Sequence, residues 1–150
     1  MARLKLKLPA GDSYLASFSY RLRIDDMNYG GHLSNDRVLA LCHDARVSLL
    51  QQREMSELRC AGRGLVMNEG QVVYKAEGFQ GDLVQVDLYL GEYSRTGFEL
   101  FYHLKREGPR ACELARVKTG QVFFDFEERK MSPLESEEEL QSFHDYLLDS

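Results

Sequence analysis

The sequence predicts one α+β domain in which an antiparallel sheet wraps around a single long central helix. Two observations carry this. An alternating apolar run at residues 14–24 gives way to helical periodicity over residues 35–53. Four strand-like runs then follow one another with only short turns between them, which implies an antiparallel meander rather than helical crossovers. One helix cannot bury its own apolar face, so the sheet must cover it.

The elements follow in order. Residues 4–8 alternate Leu with Lys and suggest a short arm or strand. Residues 14–24, YLASFSYRLRI, put Phe18, Tyr20, Leu22 and Ile24 on one strand face. The polar segment DDMNYGGHLSND comes next, and its adjacent Gly30 and Gly31 point to a shaped loop. Val38, Leu39, Leu41, Cys42, Ala45, Leu49 and Leu50 then recur at helical spacing, with no Gly or Pro between residues 33 and 59. This predicts a helix over residues 35–53, capped by Ser34, Asn35 or Asp36. Ala40 and Ala45 are small enough to admit another backbone. After a turn near Gly62, strands are expected at 65–80, 83–93, 98–106 and 112–126. This domain spans residues 1–131. Residues 132–150 open on Ser132-Pro133 and a run of glutamates, then offer Leu140, Phe143, Leu147 and Leu148 at helical spacing. A short terminal helix and a flexible acidic tail stand level as readings.

Composition narrows the function. A chain of 150 residues, 43% hydrophobic and 29% charged, suits one globular domain that buries roughly two thirds of its unfolded surface. The net charge of -5 argues against non-specific nucleic-acid binding, though a local basic cluster can still hold an anionic ligand. No apolar stretch approaches the length of a membrane span, and the opening MARLKLKLPAGDSY lacks the apolar core of a signal peptide. A cytoplasmic protein is expected. Cys42, Cys60 and Cys112 match neither a disulfide framework nor a metal knuckle, and the scattered histidines give no metal spacing. No metal or cofactor is expected.

The run Arg23-Ile24-Asp25-Asp26-Met27-Asn28-Tyr29-Gly30-Gly31-His32-Leu33-Ser34-Asn35-Asp36, followed by His43-Asp44-Ala45-Arg46, resembles the signature of the 4-hydroxybenzoyl-CoA thioesterase family. Tyr74-Lys75-Ala76-Glu77 with Gly81-Asp82, Gly97-Phe98-Glu99-Leu100 and Gly120-Gln121-Val122-Phe123-Phe124-Asp125 are similar to its later strands, so the likeness covers most of residues 16–130. The resemblance implies the hot-dog fold and hydrolysis of an acyl-CoA or acyl-carrier-protein thioester to free acid and thiol. One position departs: Asn28 stands where several members carry the carboxylate taken to be catalytic. An amide has no basic form near neutral pH. Two alternatives remain. Asp44, at the acidic helix position of the family, supplies the carboxylate; or the chain binds thioesters without cleaving them.

Thioester hydrolysis needs a polarised carbonyl and an activated water or a nucleophile. Backbone amides at Asn35 and Asp36, opening the helix, suit the first need; simple capping is the plainer role. Asp44 as base or nucleophile lies about 12 Å further along the axis, so it serves the site of a second copy rather than its own. A homodimer, or a dimer of dimers, is therefore the minimal assembly. Asn28 orients water or the carbonyl, or only ties its own loop. His32 holds the loop, donates to the carbonyl or moves a proton. His32 with Asp44 also makes a hydratase conceivable. His43 points away from Asp44, so Cys42, His43 and Asp44 form no triad. Coenzyme A would run its phosphates along the rim of an apolar slot. Lys75, Arg63, Arg95, Lys105, Arg106, Arg110 and Arg116 are the candidate contacts, and only a cluster in three dimensions promotes any of them.

Overall fold

The computed structural model describes residues 5–149. The predicted first strand forms as β1 (Tyr14–Arg21). It stops before Ile24 because Ile24–Asp26 winds into a single 3-10 turn, in which the Asp26 carboxylate accepts from the Arg23 amide at 2.8 Å. Ile24 is consequently exposed rather than on the inner face. Helix α1 (Asn35–Gln52) matches the periodic segment closely and buries Val38, Leu41, Cys42, Ala45, Leu49 and Leu50. Ser34 occupies the cap position without a capping hydrogen bond from its side chain; its hydroxyl bonds the Asp36 carboxylate instead.

Five further strands complete the sheet: β2 (Gly64–Tyr74), β3 (Leu83–Ser94), β4 (Gly97–Arg106), β5 (Cys112–Asp125) and the two-residue β6 (Lys130–Met131), which the sequence pattern did not suggest. Strand β2 ends at Tyr74, six residues short of expectation. Beyond it Gly78 lies so close to Leu22 and Leu33 that an added Cβ would stand 3.0 Å from Leu22 Cδ1, and the chain there packs as a loop. The order is β1-β3-β4-β5-β2, antiparallel throughout, with β6 paired to β5. Helix α1 therefore connects the two edge strands in sequence and lies across the concave face of the curled sheet, the hot-dog arrangement. Alternate strand residues supply that face: Val84, Val86 and Leu88 from β3, Leu100, Tyr102 and Leu104 from β4, all fully buried. Each such leucine contributes about 1.5–3 kcal/mol through burial.

The acidic tail is helical, α2 (Glu137–Leu148), started by Ser136 whose hydroxyl accepts from the Glu139 amide at 3.1 Å. It buries Leu140, Phe143 and Leu147, with Phe143 5.4 Å from both Phe98 and Phe123. Arg53, just past α1, donates to the carbonyls of Leu147 and Leu15 at 3.0 Å each and so joins α1, α2 and β1. Of the arm expected at residues 4–8, Leu4 lies outside the described residues. The rest is not a regular strand, yet Leu6 is buried and its carbonyl accepts from Arg116 Nη1 at 3.0 Å. No helix among the described residues is long and apolar enough to cross a membrane.

Candidate functional site

The loop between β1 and α1 is closed by Asn28. Its side-chain oxygen accepts from the amides of Gly30 (3.0 Å) and His32 (3.1 Å), while its own amide donates to the His32 carbonyl at 2.7 Å. The side-chain oxygen is thus taken up by backbone amides, a loop-tying contact of the kind Asn side chains make in turns. Gly31 takes φ +81°, where only glycine is unstrained. Gly30 needs no such freedom, and a Cβ there would meet His32 Cδ2 at an ordinary 3.4 Å. The loop is docked at its far end by the Leu33 amide on the Gly78 carbonyl (2.7 Å) and the Ser34 amide on the Asp26 carbonyl (2.9 Å). Asp26, nearly fully buried, is in turn paired with Arg37 at 3.0 Å. Arg37 belongs to α1, so this ion pair sets the angle at which the helix leaves the loop.

A cleft of about 330 Å³ opens at this junction. Asn28, His32 and Asn35 form one wall; Tyr74, Lys75 and Glu77, at and just beyond the end of β2, form the other. Leu33, Val38, Leu114 and Ala115 give it an apolar floor. The Tyr74 hydroxyl donates to the Asn35 carbonyl at 3.1 Å, spanning helix start and sheet edge. His32 packs its ring 5.2 Å from that of Phe79. Its Nδ1 is buried and lies 3.2 Å from a Glu77 carboxylate oxygen, yet has no hydrogen-bond partner among the described residues. Asn35 borders the cleft but Asp36 faces solvent. The Ser34 hydroxyl, and then its own backbone amide, hold the Asp36 carboxyl below the ordinary range.

Asp44 is elsewhere. It is exposed, and its Oδ1 accepts from the Tyr20 hydroxyl at 2.8 Å. Tyr20 belongs to β1 and the cleft to the β2 side, and these strands are opposite edges of the sheet. Asp44 and the cleft of its own chain therefore lie on different flanks of α1. His43 turns away from Asp44 as expected, with Nε2 2.7 Å from Glu57 Oε1. Beneath Glu57, buried Arg46 donates to the Tyr102 hydroxyl at 3.0 Å, and Tyr102 bonds the Thr119 hydroxyl at 2.7 Å. The helix is anchored to β4 and β5 by this polar chain.

The sequence profile of the thioesterase-like superfamily matches residues 22–143, from the end of β1 well into α2. The chain belongs to the thioesterase-like superfamily. Among solved structures it is similar to a 1,4-dihydroxy-2-naphthoyl-CoA thioesterase from Synechocystis, at 23% identity over 91% of this chain and 96% of that one, TM-score 0.74. It is also similar to the 4-hydroxybenzoyl-CoA thioesterase of Pseudomonas sp. strain CBS-3, at 12% identity over 85% and 98%, TM-score 0.73. A hypothetical protein of Staphylococcus aureus in complex with CoA aligns at 15% identity over 93% and 89%, TM-score 0.75. These likenesses establish the fold. No curated protein matches the chain.

For this member of the superfamily, the candidate rim cations sort clearly. Arg63 pairs with Glu139, Lys105 with Asp87, Arg106 with Asp82 and Arg116 with Glu113. Arg95 donates to the Leu134 carbonyl at 2.8 Å, and Arg110 lies 5.9 Å over the Phe79 ring. Only Lys75 of the seven both borders the cleft and has no ion-pair partner among the described residues. Tyr74 and Glu77 went unassigned at the sequence level although they sit in the family-like segment with Lys75. Leu114 and Ala115 carried no signal at all, because the cleft joins residues some 80 positions apart that only sheet pairing brings together. No cluster of three or more His, Cys, Asp or Glu side chains among the described residues has metal-binding geometry. All three cysteines are free thiols.

Proposed function

We propose that this chain hydrolyses an acyl-CoA thioester to the free acid and the CoA thiol, as a cytoplasmic homodimer or dimer of dimers. The observation that carries this reading is the cleft at the start of α1, where an apolar floor, a helix N-terminus and a histidine wall meet in a thioesterase-superfamily fold.

The roles follow from chemistry. The acyl group lies on Leu33, Val38, Leu114 and Ala115. Its carbonyl points at the opening of α1, where the amides of Asn35 and Asp36 stabilise negative charge as it develops. Asn28 holds the loop in shape, and Gly31 lets the chain turn there. His32, kept in place by that loop, donates to the carbonyl or orients the water. Asp44 acts on the cleft of a second copy. Its carboxylate takes a proton from water as the water oxygen bonds the carbonyl carbon, and the tetrahedral intermediate collapses by breaking the C–S bond. The thiolate leaves and regains a proton from the carboxyl group.

A second reading, binding without cleavage, is favoured by Asn28 being tied to backbone and Asp44 standing outside its own cleft. Thiol release from an acyl-CoA panel of graded chain length separates the two. Release that fails in Asp44→Ala supports hydrolysis; tight binding with no release from any ester selects the binder. Hydration of an enoyl-CoA without thiol release would select a hydratase.

A further inference from the structure

Within the cleft at the start of α1, the enclosed and unbonded His32 Nδ1 lies 3.2 Å from Glu77 Oε2. Among the described residues Glu77 is the one carboxylate that lines this cleft, and His32 is its only ion-pairing neighbour. The two side chains meet because the backbone under both is fixed. The Glu77 carbonyl accepts from Arg106 Nη1 at 2.9 Å and the Gly78 carbonyl from the Leu33 amide at 2.7 Å, while the Phe79 amide donates to Asp82 at 2.9 Å. Arg106 is itself paired with that Asp82 carboxylate at 3.2 Å. The Phe79 ring then closes on His32, with ring centroids 5.2 Å apart. On the loop side, the Asn28 oxygen holds the His32 amide. The far nitrogen, Nε2, makes no hydrogen bond among the described residues and is not enclosed, so the 36% of the side chain that stays exposed includes it. Lys75, the other fully charged side chain of the cleft, does not pair with Glu77. Leaving an enclosed nitrogen unpaired is unfavourable, and the Glu77 carboxylate is the acceptor within reach.

We propose that Glu77 is a positioning residue: its carboxylate takes the hydrogen bond of His32 Nδ1–H, which leaves the Nε2 lone pair to hold the attacking water. A neutral imidazole carries one proton, and the partner of one nitrogen decides the state of the other. An ionised carboxylate only accepts, so Nδ1 donates to it and Nε2 is left as the acceptor. The proposal rests on the hydrolase reading of the cleft and deepens it, because it chooses between the two tasks open to His32. Donation to the ester carbonyl falls to the backbone amides that open α1. His32 accepts from the water whose other proton goes to Asp44 of a second copy. Asn28 thus fixes the backbone of His32, and Glu77 fixes the tautomer of its ring.

The test is the nitrogen NMR spectrum of the histidine rings in the isotope-labelled full chain, with His32 assigned by its loss in His32→Gln. It is taken on the alkaline side of the ring's titration, where the imidazole carries one proton. The wild type is expected to show that proton on Nδ1. Glu77→Ala is expected to lose this preference and to lower kcat for thiol release by about a hundredfold, with KM within about twofold. Glu77→Gln, whose side-chain oxygen still accepts, should recover part of the rate. The Glu77 side chain is 64% exposed and its ties to the fold run through backbone, so the melting temperature of Glu77→Ala should hold. A proton on Nε2 in the wild type would overturn the proposal, and so would a wild-type tautomer in Glu77→Ala, whatever its rate. The spectrum needs no turnover. If no ester releases thiol, the hydrolase reading fails while the tautomer still reports on Glu77; a wild type that turns over with Nε2 protonated removes Glu77 and leaves hydrolysis standing.

Discussion

The Tyr20 hydroxyl donates to Asp44 Oδ1 at 2.8 Å, and this one bond holds the carboxylate on the β1 flank of α1 while the cleft opens on the β2 flank. Burial first, then the bond to Asp44, pushes the Tyr20 phenol well up, so the hydroxyl remains a donor throughout the neutral range. Asp44 Oδ2 accepts no hydrogen bond among the described residues.

Replacing Asp44 with Ala is expected to lower kcat for thiol release by about 10²–10⁴, the usual contribution of a positioned general base. CoA affinity, measured by calorimetry, should hold. Hydrolysis at the wild-type rate in Asp44→Ala would remove this residue from the mechanism.

Asn28 gives a sharper contrast. Asn28→Ala deletes the acceptor of two loop amides and is expected to cost about 1 kcal/mol in chemical denaturation and to raise KM. Asn28→Asp keeps an oxygen in the same place and should retain most of that stability. Equal losses in the two variants would mean that the loop does not depend on this acceptor.

Stability should fall in alkali. Burial raises the Tyr102 phenol and the Cys60 thiol to about 12 and pushes Cys42 and Tyr20 higher still. In the unfolded chain thiols ionise near pH 8.5 and phenols near pH 10. Over that window the unfolded state binds fewer protons, so the contribution is whole below the unfolded values and is lost as pH rises towards the folded ones. Melting temperature is expected to decline from about pH 8.5 upward, and Cys60→Ala should flatten the first part of the decline. A melting temperature constant to pH 11 would contradict the burial of these groups.

Thiol reagents should find one of the three cysteines quickly. Cys112 is half-buried, whereas Cys42 and Cys60 are completely enclosed. One equivalent is expected to react in the native protein and three after denaturation, read by absorbance.

Gly97 is required by space. An added Cβ would stand 1.9 Å from the Gln121 carbonyl oxygen, part of the neighbouring backbone that cannot move aside. Gly97→Ala is expected to lose about 3 kcal/mol or more, seen as a lowered denaturation midpoint or insoluble expression.

Much of this molecule is legible in its residue order. The run from Val38 to Leu50 is helical in pattern and helical in space, because 3.6-residue spacing puts its apolar side chains on one stripe. Alternation in β3, β4 and β5 likewise decided which side chains face inward. The loop from Asn28 to His32 could be located, since paired glycines and a side-chain acceptor act over a few residues. The tail was ambiguous for an equally local reason: Leu140, Phe143 and Leu147 have helical spacing, but only contact with Phe98 and Phe123 gives their stripe something to cover.

Local sequence determined the elements and the groups that carry chemistry; tertiary structure alone decided which of those groups meet. Hydrogen-bond register brings Leu114 and Tyr74 to the mouth of α1, sheet order puts Asp44 on the far flank, and Arg116 ties the N-terminal arm to β5 through the Leu6 carbonyl. Contacts of that kind depend on distances across the sheet, and residue spacing along the chain does not encode them.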